Sequence, residues 1–522
     1  MKLSQLFLQD LRSHALLFER SVSEVENFST RVRQPADRAR RIKVRKSWFL
    51  LLLIGIFLVS RLWKLNSGLN LLEPDEWDYQ NISQSFAKSA MPTWKGLPYL
   101  EKFPLFVFLG FLVERLIKAT TWLGPYGNLR LISVISNGLV ALLMFFWLKR
   151  RVRFALTLGT TFLFILTPVV LFYSRVGTLD SFASFFAVLS FYFFANSLEN
   201  LSLKKAIWLA SLITLAILAK QVNLILLALP VSLLFYEWVS KRRISWKQIL
   251  IIFFVFLFLG SILGLIGLLQ KQTSPTAIVS LGEKFLVISP IQAFTQLVVY
   301  VQKSNYWLGL PILIWLSLGM FLAVTKRYRE KIIWLMAGVI LTWIVLLAFY
   351  GRVTPRNLLA GIPFLLMLAS LGYDQYLIKK TGKIVFLGFS IIILLLIPKS
   401  YEAWKSGNHD GVEKAVSEVK KIIKQNPQLP VFATFDQEKI SELIGQPVFF
   451  LTPEATQAGI ILTDIRKTEL MLNLTEPEFT EAKAVLRLIE KDSQPVWQLV
   501  DNQPYFPGTN LGNQFKIYVF EK

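Results

Sequence analysis

Carboxylates, cations and tyrosines crowd into a few short segments of this chain. LLEPDEWDYQNI carries Asp75, Glu76, Asp78 and Tyr79, and further along GLPYLEKFPL carries Tyr99, Glu101 and Lys102. YSRVGTLDSF supplies Arg175 and Asp180, LAKQVN supplies Lys220, and YGRVTPRNLL supplies Arg352 and Arg356. Carboxylates near a lipid surface can take a proton from a hydroxyl nucleophile, while Lys and Arg neutralise a phosphate that stays with a lipid. Because a phosphate is already a good leaving group, moving a sugar off a lipid phosphate needs one base and a cationic cradle. It does not need the second, acid carboxylate that hydrolysis of an ordinary glycoside demands. Taken singly, each residue could instead be a charge at a helix end that snorkels into headgroups. Their gathering on one side of the membrane favours a site.

The composition removes several other chemistries. With no Cys and only two histidines, His14 and His409, disulfide frameworks, thiolate zinc, iron–sulfur sites, Cys nucleophiles and His clusters are excluded. Asp75, Glu76, Asp78 and Asp180 could present oxygen ligands to a divalent cation such as Mg²⁺ or Mn²⁺. The cations in the same segments could do the same charge neutralisation, so the sequence leaves a metal open.

The elements that must position these residues are membrane helices. Of 522 residues, 54% are hydrophobic and 17% charged, well below the roughly 25% charged of soluble domains. Apolar segments run over 48–63, 131–148, 154–173, 181–198, 206–219, 222–239, 248–270, 305–324, 332–350, 357–377 and 383–398. They predict a polytopic α-helical membrane protein with about 11–13 transmembrane helices. Residues 1–47 form a basic N-terminal segment ending in RVRQPADRARRIKVRK, without the cleavage site of a signal peptide. This block should remain cytoplasmic. Leu6, Phe7, Leu11, Leu16 and Leu17 fall roughly on one helical face, which fits either a plain cytoplasmic helix or one that lies on the membrane surface.

From that start, eleven net crossings place the basic loops KRRVR, ENLSLKK, SKRRISWKQ, TKRYREK and IKKTGK all on the cytoplasmic side. The net charge of +23 is then topological, and nucleic acid is not a partner. The run at 103–118 is too short to span and reads as interfacial or re-entrant. The candidate site residues fall on the outer face, in and beyond a first outer loop over 64–130.

Residues 400–522 change character. GVEKAVSEVKKIIKQ and EKISELIG read as helices, and PVFATFD, PVFFLT, GIILTDI and FKIYVFEK as strands. They predict a soluble α/β domain outside the membrane, following a transmembrane domain over 48–399. It has no Gly-rich phosphate loop, which points to an accessory or acceptor-recruiting role. Its aromatics Trp497, Tyr505 and Phe506 read as core rather than as a sugar-stacking platform.

The order PDEWDY, YLEKFPL, an Arg-x4-Asp at a helix start, a Lys after an outer helix end and an Arg before GIPFLL resembles the polytopic lipid-phosphate-dependent glycosyltransferases. The protein O-mannosyltransferases and the lipid A aminoarabinose transferase are the nearest groups. The resemblance covers roughly residues 48–400. It implies a GT-C fold, a polyprenyl-phosphate sugar donor, inversion at the anomeric carbon, and a multi-pass place in the plasma or inner membrane. Residue by residue, it makes Asp75 the base or acceptor-orienting carboxylate, with Glu76 beside it and Asp180 as the later catalytic aspartate. It assigns Lys102, Arg356, Arg175 and Lys220 to the donor phosphate, and Tyr79, Tyr99 and Glu101 to substrate positioning. The acceptor would be the hydroxyl of a lipid, a glycan or a protein. Where the family has Lys-Pro-Pro, Lys-Gly and Arg-Tyr, this chain has Lys102-Phe103-Pro104, Lys220-Gln221 and Arg356-Asn357; each departure touches the donor side.

Two other classes compete. A transporter or flippase would carry ionisable residues in mid-helix and broken segments repeated in two halves. The sequence has no internal repeat and keeps its charges at segment ends. A non-catalytic scaffold would have no reason to keep Asp75, Lys102 and Asp180 together.

Overall fold

The structure, a computed structural model, describes residues 52–63, 65, 74–89, 92–94, 97–98, 105–117, 127–198, 201–240, 246–271, 289–327, 330–349, 353–376, 382–406, 411–434, 437–464, 480–504 and 512–520. The chain divides into Met1–Leu58 and Val59–Lys522. Of the first unit only residues 52–58 are described, all helical, so the basic run to Lys46 and the amphipathic stretch before it lie outside the described residues.

Helix α1 (Leu52–Leu62) is followed by α2 (Pro74–Ser89), the short hairpin β1 (Thr93–Trp94) and β2 (Leu97–Pro98), and α3 (Leu105–Ile117). Then come α4 (Gly127–Lys149), α5 (Phe154–Leu166), α6 (Pro168–Tyr173), α7 (Leu179–Ser197), α8 (Leu203–Ala219), α9 (Ala228–Val239) and α10 (Trp246–Lys271). The bundle closes with α11 (Pro290–Leu308), α12 (Leu310–Arg327), α13 (Lys331–Phe349), α14 (Ile362–Tyr376) and α15 (Gly382–Ser406). Among the described residues, five helical stretches are long and apolar enough to cross a membrane, or six if the bent pair α11–α12 counts as one span. Helices α1 and α5 and the Trp246–Ile262 part of α10 are apolar but shorter.

Two breaks, each with a local cause, and one continuation depart from a reading by hydropathy alone. The apolar run at 154–173 is two helices, because Pro168 has no N–H to continue α5 and holds Thr167 out of the helical region, at ψ 124°. Ahead of the apolar run at 305–324, a separate helix starts at Pro290. Ser289 and Gln292 close a capping box over its first turn. It turns by 116° into α12 at Gly309, whose φ of 85° suits glycine. Finally, α15 runs through Pro398 to Ser406, so the membrane helix does not stop where the composition changes.

Helix α3 has 13 residues and rises only about 20 Å, short of the roughly 30 Å hydrocarbon layer. It lies against α2, α4 and α7 in one apolar cluster that includes Tyr79, Ile82, Phe106, Leu129, Leu179 and Phe182. The rings of Tyr79 and Phe106 meet edge to face at 5.9 Å, and Phe106 sits 5.6 Å from Phe182. This cluster is the floor on which the polar residues at the same end of the bundle stand.

After α15 the chain forms α16 (Gly411–Gln425), β3 (Val431–Ala433), α17 (Gln437–Ile444), β4 (Val448–Phe450), β5 (Gly459–Asp464), α18 (Thr480–Asp492), β6 (Trp497–Pro504) and β7 (Gly512–Phe520). The sheet order is β4-β3-β5-β7-β6, with β4, β3 and β5 parallel and β7 antiparallel to both β5 and β6. All six residues of β5 are buried, as a central strand covered on both faces requires. Val416, Val419 and Ile440 cover one face, and Leu451, Ala455, Val485 and Ile489 the other. Helix α18 and strand β6 complete the strands and helices read from the sequence. Trp497 packs at the edge of the first core, while Tyr505 and Phe506 lie outside the described residues.

Candidate active site

The polar residues gather where α4 and α7 begin and α8 ends. Helix α2 opens with Pro74 at its first position, followed by Asp75 and Glu76 in a first turn whose free N–H groups and dipole favour carboxylates, with Asp78 just beyond it. Glu76 is buried and fully engaged. Arg130 on α4 grips it with two bonds, Nε to Oε1 at 2.6 Å and Nη2 to Oε2 at 2.9 Å. The backbone N–H of Gly177 donates to Oε1 at 2.7 Å, and Arg130 Nη1 donates to the Leu65 carbonyl at 2.9 Å. A bidentate, buried pair of this kind fixes orientation as well as charge. It fastens the start of α2 to α4 and to the turn between α6 and α7.

That turn ends in Asp180, in the first turn of α7. Asp180 is buried and paired with the ammonium of Lys220, and Arg356 acts electrostatically on the same carboxylate. Lys220 reaches it because α8 stops there, its backbone extended at φ −160°. Asn223 holds the break, donating to the Ala216 carbonyl of α8 at 2.8 Å and to the Ala183 carbonyl of α7 at 2.9 Å. Lys220 Nζ also donates to Asn357 Oδ1 at 3.3 Å. Asn357 and Arg356 belong to a single helical turn, Pro355–Leu358, before α14.

Arg175 occupies the same turn as Gly177. Its guanidinium donates to the Trp63 carbonyl at 2.7 Å and to the Trp404 carbonyl at 3.3 Å, and lies 5.9 Å from the Trp404 ring. Burial, with the like charge of Arg130 nearby, lowers its pKa to about 9. Arg61, on α1, is completely buried and donates to Ser174 Oγ at 3.2 Å and to the Ile165 carbonyl. The turn between α6 and α7 is thus bound by Arg61 before it, Arg175 within it and Gly177 at its end.

Of the residues read as a site, Glu76, Arg175, Asp180, Lys220 and Arg356 come together at this end of the bundle. Tyr79 is also here, but its ring is buried in the apolar floor. Asp75 lies in the described backbone of α2, one residue before Glu76, while its side chain falls outside the described residues. Tyr99, Glu101, Lys102 and Arg352 also fall outside them. The sequence reading missed Arg130 and Asn223 and did not single out Asn357 as a site residue. For Arg130 the available signal was a basic residue in the first turn of an apolar helix, where it faces the positive end of the dipole and needs a carboxylate.

The described carboxylates do not form a metal cage. Among the described residues no three of His, Cys, Asp or Glu come within reach of one ion, and Glu76 and Asp180 already face cations. What the arrangement offers is a carboxylate–ammonium pair with a second cation beside it, next to the helix whose first turn carries Asp75 and Glu76.

No protein-family model matches the sequence, and no curated protein matches it significantly. Solved structures do. ArnT from Cupriavidus metallidurans, solved bound to undecaprenyl phosphate, is 14% identical with a TM-score of 0.54 over 90% of this chain and 97% of its own. The archaeal oligosaccharyltransferase AglB from Archaeoglobus fulgidus, solved with an inhibitory peptide and a dolichol-phosphate, is 11% identical with a TM-score of 0.51 over 84% of this chain and 72% of its own. The chain has the GT-C fold of these membrane glycosyltransferases.

Proposed function

We propose that the protein transfers a sugar from a polyprenyl-phosphate donor to an acceptor hydroxyl at the extracytoplasmic face of the membrane, with inversion at the anomeric carbon. One observation carries the reading: Glu76 binds the Gly177 N–H at 2.7 Å. Glu76 directly follows Asp75, and Gly177 lies three residues before Asp180, so this bond ties the two segments that hold the candidate catalytic aspartates. A cationic cluster of Lys220, Arg356 and Arg175 surrounds the junction.

In this mechanism the acceptor oxygen attacks the anomeric carbon as the bond from that carbon to the phosphate oxygen breaks. Asp75 takes the acceptor's proton. The electron pair of the broken bond leaves with the lipid phosphate, whose growing charge is met by Lys102, Arg356, Arg175 and Lys220. Asp180, paired with Lys220, keeps that ammonium in place and keeps the cluster from being wholly cationic before the donor arrives. The carriers held by ArnT and AglB, undecaprenyl phosphate and dolichol-phosphate, support a polyprenyl-phosphate donor. The peptide held by AglB is consistent with a protein among the acceptor kinds, beside lipid and glycan hydroxyls. No step requires a metal.

The test is release of free polyprenyl phosphate by the purified protein in detergent from a panel of polyprenyl-phosphate sugars, with envelope extract as acceptor. Wild type should release it from at least one donor, and Asp75→Asn should lower the rate by about 10²–10⁴-fold, the usual worth of a general base. Release by neither protein from any donor would overturn the reading.

A further inference from the structure

Tyr300 lies on α11, outside every segment so far assigned to the site. Most of α11 faces outward; Val301, beside Tyr300, is 72% exposed. Its buried residues are Ala293, Tyr300, Trp307 and Leu308; the first three recur every seven residues, a stripe turned inward. The Tyr300 and Trp307 rings meet edge to face at 5.7 Å, which fixes the direction of the phenol.

The hydroxyl ends at the turn that carries Asn357 and Arg356. It donates to the Thr354 carbonyl at 3.3 Å and accepts from the Thr354 N–H at 3.3 Å and from Asn357 Nδ2 at 3.4 Å. Asn357 is held again through its backbone, whose carbonyl accepts from Trp343 Nε1 at 3.1 Å. These bonds settle which way the amide points. Its nitrogen must face a phenolic oxygen that can accept, and its oxygen must face the Lys220 ammonium, which can only donate. The result is a continuous chain from Tyr300 through Asn357 and Lys220 to Asp180.

We propose that Tyr300 and Asn357 are positioning residues that fix the Lys220 ammonium against Asp180, so that one amide rotamer, chosen by a phenol on a separate helix, sets where that cation points. The consequence for catalysis rests on the glycosyl-transfer reading above; the positioning itself does not. A lysine free to swing would still carry its charge but would meet the phosphate in fewer of its rotamers.

The experiment measures both consequences on the full-length protein in detergent. Lysines are acetylated with trace acetic anhydride at fixed pH, and Lys220 modification is read by mass spectrometry against Lys424 on the surface of the C-terminal domain. Tyr300→Phe and Asn357→Leu should each speed Lys220 acetylation about fivefold, as loss of one modest hydrogen bond implies. Asn357→Asp, which keeps an acceptor for the ammonium, should fall between wild type and Asn357→Leu. Lys424 should not change. Where a donor is turned over, Tyr300→Phe should lower kcat about tenfold and leave KM within twofold, a split that loosened packing alone would not give.

Tyr300→Phe removes one oxygen, so it remains informative if Asn357→Leu fails to fold. Unchanged Lys220 labelling in folded Tyr300→Phe overturns the proposal. Faster labelling in a protein that releases no polyprenyl phosphate from any donor upholds the positioning and removes the transfer reading alone.

Discussion

Glu76 and Asp180 are both acidic, both buried and both paired, yet the partners make them different. Glu76 has its two oxygens taken by Arg130 and the Gly177 N–H; it is a rivet. Asp180 faces an ammonium that is shared with Asn357, and a primary amine on a long stem can move to an incoming phosphate where a bidentate guanidinium cannot. Glu76→Gln should therefore act on stability first. It leaves Arg130 buried without its counter-charge, at a cost of about 3–5 kcal/mol, seen as a lower thermal midpoint in detergent. The double variant Glu76→Leu with Arg130→Met should recover much of that loss, because a buried pair replaced as a whole by apolar groups is often close to neutral.

At the scale of elements, the site depends on helices that stop. Helix α5 ends before Pro168, α8 ends at Lys220, and α11 ends at Gly309. The turn between α6 and α7 is a further, closely packed joint. A Cβ at Gly177 would lie 2.9 Å from Glu76 Oε1 and 2.8 Å from Leu129 Cβ. Gly177→Ala should thus displace the carboxylate from Arg130, costing about 1–3 kcal/mol as overpacking does, and should slow transfer by moving the start of α2 relative to Asp180. The measurement pairs the thermal midpoint with the rate; a variant of normal stability and normal rate would show that the joint tolerates the displacement.

At the scale of the whole molecule, cysteine labelling tests the orientation in the membrane. The chain has no Cys, so single cysteines report topology without background. In intact cells an impermeant maleimide should label Lys424→Cys, on the C-terminal domain, and should reach Arg150→Cys, beyond the end of α4, only after permeabilisation. The reverse pattern would put the site on the cytoplasmic face. Chelation by EDTA should change the transfer rate by less than about twofold, because Glu76 and Asp180 are neutralised by cations of the chain itself; a larger loss, restored by Mg²⁺ or Mn²⁺, would require an ion among the other carboxylates.

The sequence by itself determined the membrane character, the apolar runs, the alternation of helices and strands after residue 400, and the short segments that bring Glu76, Arg175, Asp180, Lys220 and Arg356 to one end of the bundle. These properties are local: hydropathy, period and the placing of charges at helix ends can be read within a window of a few turns. Only the tertiary structure decided which charge meets which. Arg130 lies 54 residues from Glu76, Lys220 lies 40 from Asp180, and Tyr300 lies 57 from Asn357. No periodicity spans such distances, because the pairings are set by how helices pack and where they break. Asp75 could be singled out from its motif alone, whereas Tyr300, in a helix with no motif, acquires its meaning from the turn it touches.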